Sequence, residues 1–194
     1  SNNIFSKLSF YNNKKVERFS FRNKSEIESV KNTLNKTKFK IADVQTKVFK
    51  RNPLAPFTTS TLQQTASGKF GFGASRTMQI AQRLYQGIEI EGETTGLITY
   101  MRTDGTSISK EAINDFRNLI AKDYGKEFLP DDIVTYEGKK AKNAQEAHEA
   151  IRPTDVNRKP NDIKKYVNAD QFKLYELIWS RALSSQMKPA LFDR

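Results

Sequence analysis

The sequence predicts a multidomain α+β protein: a mainly α-helical domain with a winged-helix-like helix-turn-helix core, joined to part of a β-rich arm. Three observations carry this prediction. Beyond residue 58, apolar residues recur at helical spacing between capping residues and glycine stops. Two of these helices, separated by glycines, run into a pair of strand-like segments, the outline of a winged helix-turn-helix. Residues 1–53 instead alternate aromatic and polar residues around a turn. The limits that follow are 1–53 for the first portion of the arm, 54–187 for the helical domain, and 188–194 for a return into the arm.

Leu8 and Phe10, then Phe19 and Phe21, flank Asn12-Asn13 and predict a hairpin. A capping box from Ser25 to Glu28 opens a helix with Ile27, Val30 and Leu34 on one face. Phe39, Ile41, Val44 and Val48 suggest a further strand with an irregularity. So small a segment buries little core by itself, and its strands call for partners elsewhere in a larger sheet. Asn52-Pro53-Leu54-Ala55-Pro56 is the boundary, because each proline disfavours helix in the residue before it. Thr58 or Thr59 then caps a helix carrying Leu62, Ala66 and Phe70, broken at Gly71-Phe72-Gly73. Ser75 caps a second, with Met78, Ala81, Leu84 and Tyr85, ended by Gly87. Residues 88–101 read as two short strands around Glu91-Gly92-Glu93. A third helix follows Ser109, with Ala112, Ile113, Phe116 and Ile120 inward. An irregular stretch of about 128–160 contains Lys139, Lys140 and Lys142, which read as a solvated loop. A last helix follows Asp170, with Leu174, Leu177, Ile178 and Ala182 inward; Trp179 on it reads as core rather than as a stacking platform.

The formal charge of +11 points toward a polyanionic partner. Its location matters more than its size. Residues 1–53 hold 13 Lys and Arg against 4 Asp and Glu, whereas residues 54–194 hold 20 against 18. The basic excess therefore lies away from the motifs described next. Cysteine is absent, which excludes disulfides and thiolate metal sites and fits a cytoplasmic protein. No stretch approaches the roughly 20 apolar residues of a membrane span, and no signal-peptide pattern opens the chain, so a soluble protein without a membrane partner is expected.

Two strings carry chemistry. In Gly96-Leu97-Ile98-Thr99-Tyr100-Met101-Arg102-Thr103-Asp104, a tyrosine on an apolar strand would ordinarily be packing. Arg102 changes that reading, because two residues along a strand it projects to the same face as Tyr100. A phenol beside a guanidinium suits attack on a phosphodiester, the Arg holding a non-bridging oxygen as charge builds in the transition state. Thr99, Thr103 and Asp104 add short polar groups suited to a phosphate backbone. The second string, residues 145–154, places His148 and Arg152 four apart, on one face if this turn is helical. A single His with no Cys or second His is a poor start for a metal site, so phosphate contact is the functional reading.

Together the two strings resemble type IA DNA topoisomerases, the topoisomerase I branch more than topoisomerase III, where Pro typically follows the tyrosine in place of Met101. Residues 96–104 resemble the active-site segment, with its tyrosine at Tyr100 and its arginine at Arg102. Residues 146–154 resemble the His-containing segment, with His148 and Arg152. Residues 55–67 and 72–87 resemble two helices of the same domain.

The resemblance implies cleavage and rejoining of one DNA strand through a 5′-phosphotyrosine, relaxing negative supercoils without ATP. It implies single-stranded or underwound DNA and the remaining domains of the same polypeptide as partners, and a nucleoid-associated, cytoplasmic setting. It also implies Mg²⁺ bound by acidic residues of a Toprim domain outside this chain. No cofactor is expected here: Asp131-Asp132 reads as a solvated loop, and Glu89, Glu91 and Glu93 as a hairpin. A phenol in water has a pKa near 10 and is about 0.1% ionised at pH 7, a deficit of roughly 4 kcal/mol that one Arg does not supply. The segment alone is therefore expected to be inactive. Arg76, Gln63 and Gln64 are candidate DNA contacts on the first two helices of the domain. The competing reading is a winged-helix regulator in which Arg76, Gln79, Gln82 and Arg83 read duplex bases; it explains neither the Tyr100 nor the His148 string.

Overall fold

The computed structural model describes residues 5–136 and 149–193. They form a mixed helix-and-strand fold in two compact units, Ser1–Thr46 and Lys47–Arg194.

In the first unit, β1 (Phe10–Tyr11) pairs antiparallel with β2 (Lys14–Lys15) across Asn12-Asn13. Both asparagines have positive φ, 50° and 60°, the backbone that a two-residue hairpin turn demands. The turn lies where the sequence places it, but the strands are short and Phe19 and Phe21 lie outside them. Phe21 instead meets the Tyr11 ring edge-on, 6.3 Å between centroids. Helix α1 (Lys24–Lys36) is capped by Asn23, whose side chain accepts from the Glu26 N–H. The Ser25–Glu28 box does not form, because Asn23 is the last extended residue and Ser25 already lies within the helix. The strand expected through Phe39, Ile41 and Val44 is also absent. These residues are exposed, and no described strand of this unit pairs with them to satisfy a ladder.

The second unit opens and closes on a ribbon. β3 (Val48–Arg51) pairs antiparallel with β6 (Ala190–Asp193), from Val48↔Asp193 to Arg51↔Ala190. Helix α2 (Thr59–Phe70) begins with a reciprocal Thr58–Thr61 capping box and stops at Gly71, whose φ of 67° is left-handed. Helix α3 (Ala74–Gln86) has Gly73 at its N-cap with no side-chain bond; the Ser75 cap predicted from sequence falls inside the helix instead. After Gly87 come β4 (Ile88–Ile90) and β5 (Glu93–Thr95), joined at Glu91-Gly92. Ser109 caps α4 (Lys110–Asp123). A short helix α5 (Pro160–Ile163) precedes α6 (Ala169–Ser185), which is capped reciprocally by Asn168 and Gln171.

Helix α6 is the axis of the core. Its Leu174, Ile178 and Ala182 share one buried cluster with Leu62 and Ala66 of α2, Ala81 and Leu84 of α3, and Phe116 and Ile120 of α4. Each fully buried Leu or Ile contributes about 1.5–3 kcal/mol, so α2, α3 and α6 form a firm base for the loops across their ends. Trp179 is core, as expected, with its indole N–H donating to the Val156 carbonyl at 2.8 Å. No described helix is long and apolar enough to cross a membrane.

Candidate active site

Residues 96–103 cross the helical base as an irregular segment held on three sides. At the end of α3, the Leu97 N–H donates to the Leu84 carbonyl at 2.8 Å. That approach requires Gly96, because a Cβ there would stand 2.8 Å from the Tyr85 carbonyl oxygen. From the second side, the Thr99 N–H donates to the Arg152 carbonyl at 2.9 Å. The Thr99 hydroxyl donates to the Ala150 carbonyl at 2.8 Å and accepts from the Arg152 N–H at 3.0 Å. The Thr154 hydroxyl closes this side on the Gly96 carbonyl at 2.7 Å. From the third side, the start of α2, the Thr59 N–H donates to the Thr103 carbonyl at 2.9 Å. The Thr59 hydroxyl donates to the Met101 carbonyl at 2.7 Å and accepts from the Thr103 N–H at 2.9 Å.

This arrangement corrects the strand predicted through Tyr100. Leu97 and Ile98 are consecutive and both buried, which strand alternation would forbid on a one-sided sheet. The bridge Ile98↔Pro153 stays isolated, since proline has no N–H with which to extend a ladder. Strand geometry therefore does not set the relation of Tyr100 to Arg102. Both side chains border α3 instead. Tyr100, 36% exposed, meets the Tyr85 ring edge-on with centroids 5.4 Å apart. Arg102 lines a recess along α3 with Ser75, Gln79, Gln82, Arg83 and Gln86, so the recess has two arginines in its wall. Asp104 is exposed at the end of that segment.

The helix expected through His148 and Arg152 is not present over its described part: residues 149–153 are extended, with bridges at Ile151 and Pro153. His148 itself, like Lys139, Lys140 and Lys142, lies outside the described residues. The Arg152 side chain is only 15% exposed and pairs with Glu149, Nε to Oε2 2.7 Å. Arg76 pairs with Asp170 of α6 and stacks over the Phe72 ring. Gln63 is half-buried on α2, and Gln64 donates to the Ser60 hydroxyl. Thr103 is buried and its hydroxyl accepts from the Gly105 N–H. Among the described residues no three His, Cys, Asp or Glu side chains group as a metal site would require. Glu91 accepts from the Tyr166 hydroxyl at 3.0 Å.

Thr59 and Tyr85 are positioning residues outside the two motifs, and Gly96 and Thr154 hold the segment from the ends of those motifs. Thr59 left one trace in the sequence. Thr58 and Thr59 are adjacent where a cap needs only one hydroxyl, so the second was available for another bond.

This chain is matched over residues 2–194 by the family described as DNA topoisomerase. The DNA topoisomerase 1 of Rickettsia bellii is 48% identical over 194 residues, covering 100% of this chain and 24% of that protein. That of Helicobacter pylori is 45% identical over 183 residues, covering 94% and 25%. Full-length topoisomerase I from Thermotoga maritima superposes with a TM-score of 0.66 at 47% identity, over 77% of this chain and 23% of that one. The chain belongs to the bacterial type IA DNA topoisomerases. The relatives just described are each a topoisomerase I, and the chain spans about a quarter of their length.

Proposed function

We propose that this chain supplies the attacking tyrosine of a topoisomerase I that relaxes negatively supercoiled DNA. The Tyr100 Oη attacks a phosphodiester phosphorus of single-stranded DNA. The bond from phosphorus to the 3′-oxygen breaks, the phosphate stays on the tyrosine as a 5′-phosphotyrosyl ester, and the phenolic proton ends on the 3′-oxygen. After the other strand has passed, the 3′-hydroxyl attacks in reverse and frees Tyr100. One phosphoester replaces another, so bond energy is retained and no ATP is consumed. The observation that carries this reading is Tyr100 itself, exposed on a turn whose backbone is clamped by the Thr59 and Thr99 hydroxyls.

Arg102, beside Arg83 in the α3 recess, holds a non-bridging phosphate oxygen. Arg152 meets the backbone phosphate together with His148, exchanging Glu149 for it. Helices α2 and α3 with the β4–β5 hairpin form the winged-helix-like core, and Arg76 and Gln63 flank the strand along it. The β3–β6 ribbon belongs to the β-rich arm.

The resemblance to the family brings Mg²⁺ with it, and the described residues do not fit that ion, since their carboxylates do not cluster. The resemblance assigns its ligands to the Toprim domain of the whole protein, and on this reading the chain alone neither cleaves nor relaxes DNA. Two experiments test the reading. The chain with Mg²⁺ and negatively supercoiled plasmid should leave the plasmid supercoiled; relaxation abolished by Tyr100→Phe would refute its dependence on other domains. The full-length protein with a 3′-end-labelled single strand should retain the label on protein after denaturation, and Tyr100→Phe should not. A labelled adduct in that variant would move the nucleophile elsewhere.

A further inference from the structure

We infer that the Tyr85 ring is a stacking platform for a nucleobase of the cleaved strand, the base of a nucleotide adjoining the phosphate that Tyr100 attacks. This inference rests on the reading of Tyr100 as the nucleophile. The spacing of α3 predicts Tyr85 inward with Ala81 and Leu84. The ring instead stands outside the face that buries Thr77, Ile80, Ala81 and Leu84, and it is 41% exposed. The core makes little use of it. Hydrogen bonding makes none among the described residues. The hydroxyls of Tyr136 and Tyr175 donate to the Ser185 and Arg158 carbonyls and that of Tyr166 to Glu91, whereas the Tyr85 hydroxyl has no such partner there.

What the fold does fix is the place of the ring. The Leu84 carbonyl accepts from the Leu97 N–H at 2.8 Å, and the Tyr85 carbonyl packs so closely on Gly96 that a Cβ there would stand 2.8 Å away. The last turn of α3 is thus tied directly to the tyrosine segment. The Tyr100 ring meets Tyr85 edge-on, 5.4 Å between centroids. An edge-on contact covers one face of only one of its two rings, so aromatic surface stays open beside the nucleophile.

The surroundings name the occupant. The recess along the same helix has Arg83, Arg102 and the amides of Gln79, Gln82 and Gln86 in its wall, and no carboxylate. Gln82 precedes Tyr85 by three residues and so neighbours it on the helix surface. Guanidinium groups hold backbone phosphate, amides reach the polar edge of a base, and an exposed ring takes its face. A cationic groove flanked by an aromatic ring is how proteins hold single strands. The two tyrosine rings touch, so the stacked base belongs to a nucleotide next to the phosphate at Tyr100. Every base has a π-face; the platform therefore orients the strand without choosing its sequence.

The test uses full-length protein carrying Tyr100→Phe, which keeps an aromatic ring there and binds without cleaving, and a fluorescein-labelled single strand with one mapped cleavage site. In anisotropy titrations Tyr85→Leu should weaken binding about fivefold to a hundredfold, the range for losing one base stack. Tyr85→Phe, the conservative variant, should restore it. One abasic tetrahydrofuran unit is then stepped along the strand. At one position next to the cleavage site, protein with Tyr85 should lose as much affinity as Tyr85→Leu costs, and Tyr85→Leu should lose nothing more. A ring that only props the fold would weaken every strand by the same factor and leave the abasic pattern unchanged. That result would overturn the platform, as would Phe binding as poorly as Leu. Adduct formation separates the two readings. If Tyr100→Phe abolishes the covalent adduct while no abasic position couples to Tyr85, the platform alone fails. If Tyr100→Phe still forms the adduct, the reading of Tyr100 fails and this inference with it.

Discussion

Replacing Thr59 with valine keeps the shape of the side chain and removes its hydroxyl. Its donation, shared between the Met101 carbonyl at 2.7 Å and the Thr103 carbonyl at 3.0 Å, and its acceptance from the Thr103 N–H at 2.9 Å both vanish. Met101 and Thr103 are 1% and 8% exposed, so water cannot readily replace either partner. Each bond is worth about 1 kcal/mol, and each orphaned buried group adds a desolvation penalty, for a total of about 3 kcal/mol. At roughly 2–4 °C per kcal/mol for a chain of this size, melting should fall by roughly 6–12 °C. Thr59→Ser keeps the hydroxyl and loses one methyl group, about 0.8 kcal/mol at most. Circular dichroism melts of the two variants separate the contributions. In the full-length protein, Val should also reduce the yield of covalent adduct without weakening single-strand binding, and Ser should not. If Val and Ser melt within a degree or two of each other, the hydroxyl does not hold the tyrosine segment and the clamp is wrong.

Gly96→Ala should destabilise the second unit by about 1–3 kcal/mol in urea titrations, because the new Cβ meets the Tyr85 carbonyl, which is backbone and cannot swing aside. Arg76→Ala should cost about 1 kcal/mol at low salt and less at high salt, since its ion pair with Asp170 is substantially exposed and screened. A salt-independent loss would assign the effect to the Phe72 stack instead. Burial raises the phenols of Tyr136 and Tyr175 above the ordinary value near 10. Folded chains then keep protons that unfolded chains release, so stability is full below pH 10 and falls above it, by up to roughly 1.4 kcal/mol per pH unit for buried Tyr175 and by much less for the more exposed Tyr136. Urea midpoints at pH 9 and pH 11 check this, and Tyr175→Phe should flatten the fall.

The main helices were legible because their information is local. Leu62 and Ala66, Ala81 and Leu84, or Leu174 and Ile178 repeat within one or two turns, and Thr58 and Ser109 mark where two helices begin, whereas the last starts at Ala169 behind Asn168 rather than after Asp170. The Asn12-Asn13 and Glu91-Gly92 turns were legible for the same reason, since their backbone angles select those residue types. The strand through Tyr100 misled because Leu97 to Met101 has strand-like composition, while the hydrogen-bond partners of Thr99 and Met101 lie more than forty residues away along the chain. The paired state of Arg152 was missed for a different reason. Glu149 is three residues away, a spacing that also pairs on a helix, but the reading of Arg152 as a phosphate contact did not consider a carboxylate already bound to it.

The sequence by itself determined which tyrosine to examine, the periodic helices of the second unit and the family to which the chain belongs, because motif, periodicity and caps are written in neighbouring residues. Only the tertiary structure decided how Tyr100 is presented. Its backbone is shaped by the Thr59 hydroxyl from α2, by Thr99 against residues 150–152, and by the space that Gly96 leaves beside α3. Those contacts exist only once α2, α3 and α6 have buried their common core, and no local pattern encodes a hydrogen bond that the core must first bring within reach.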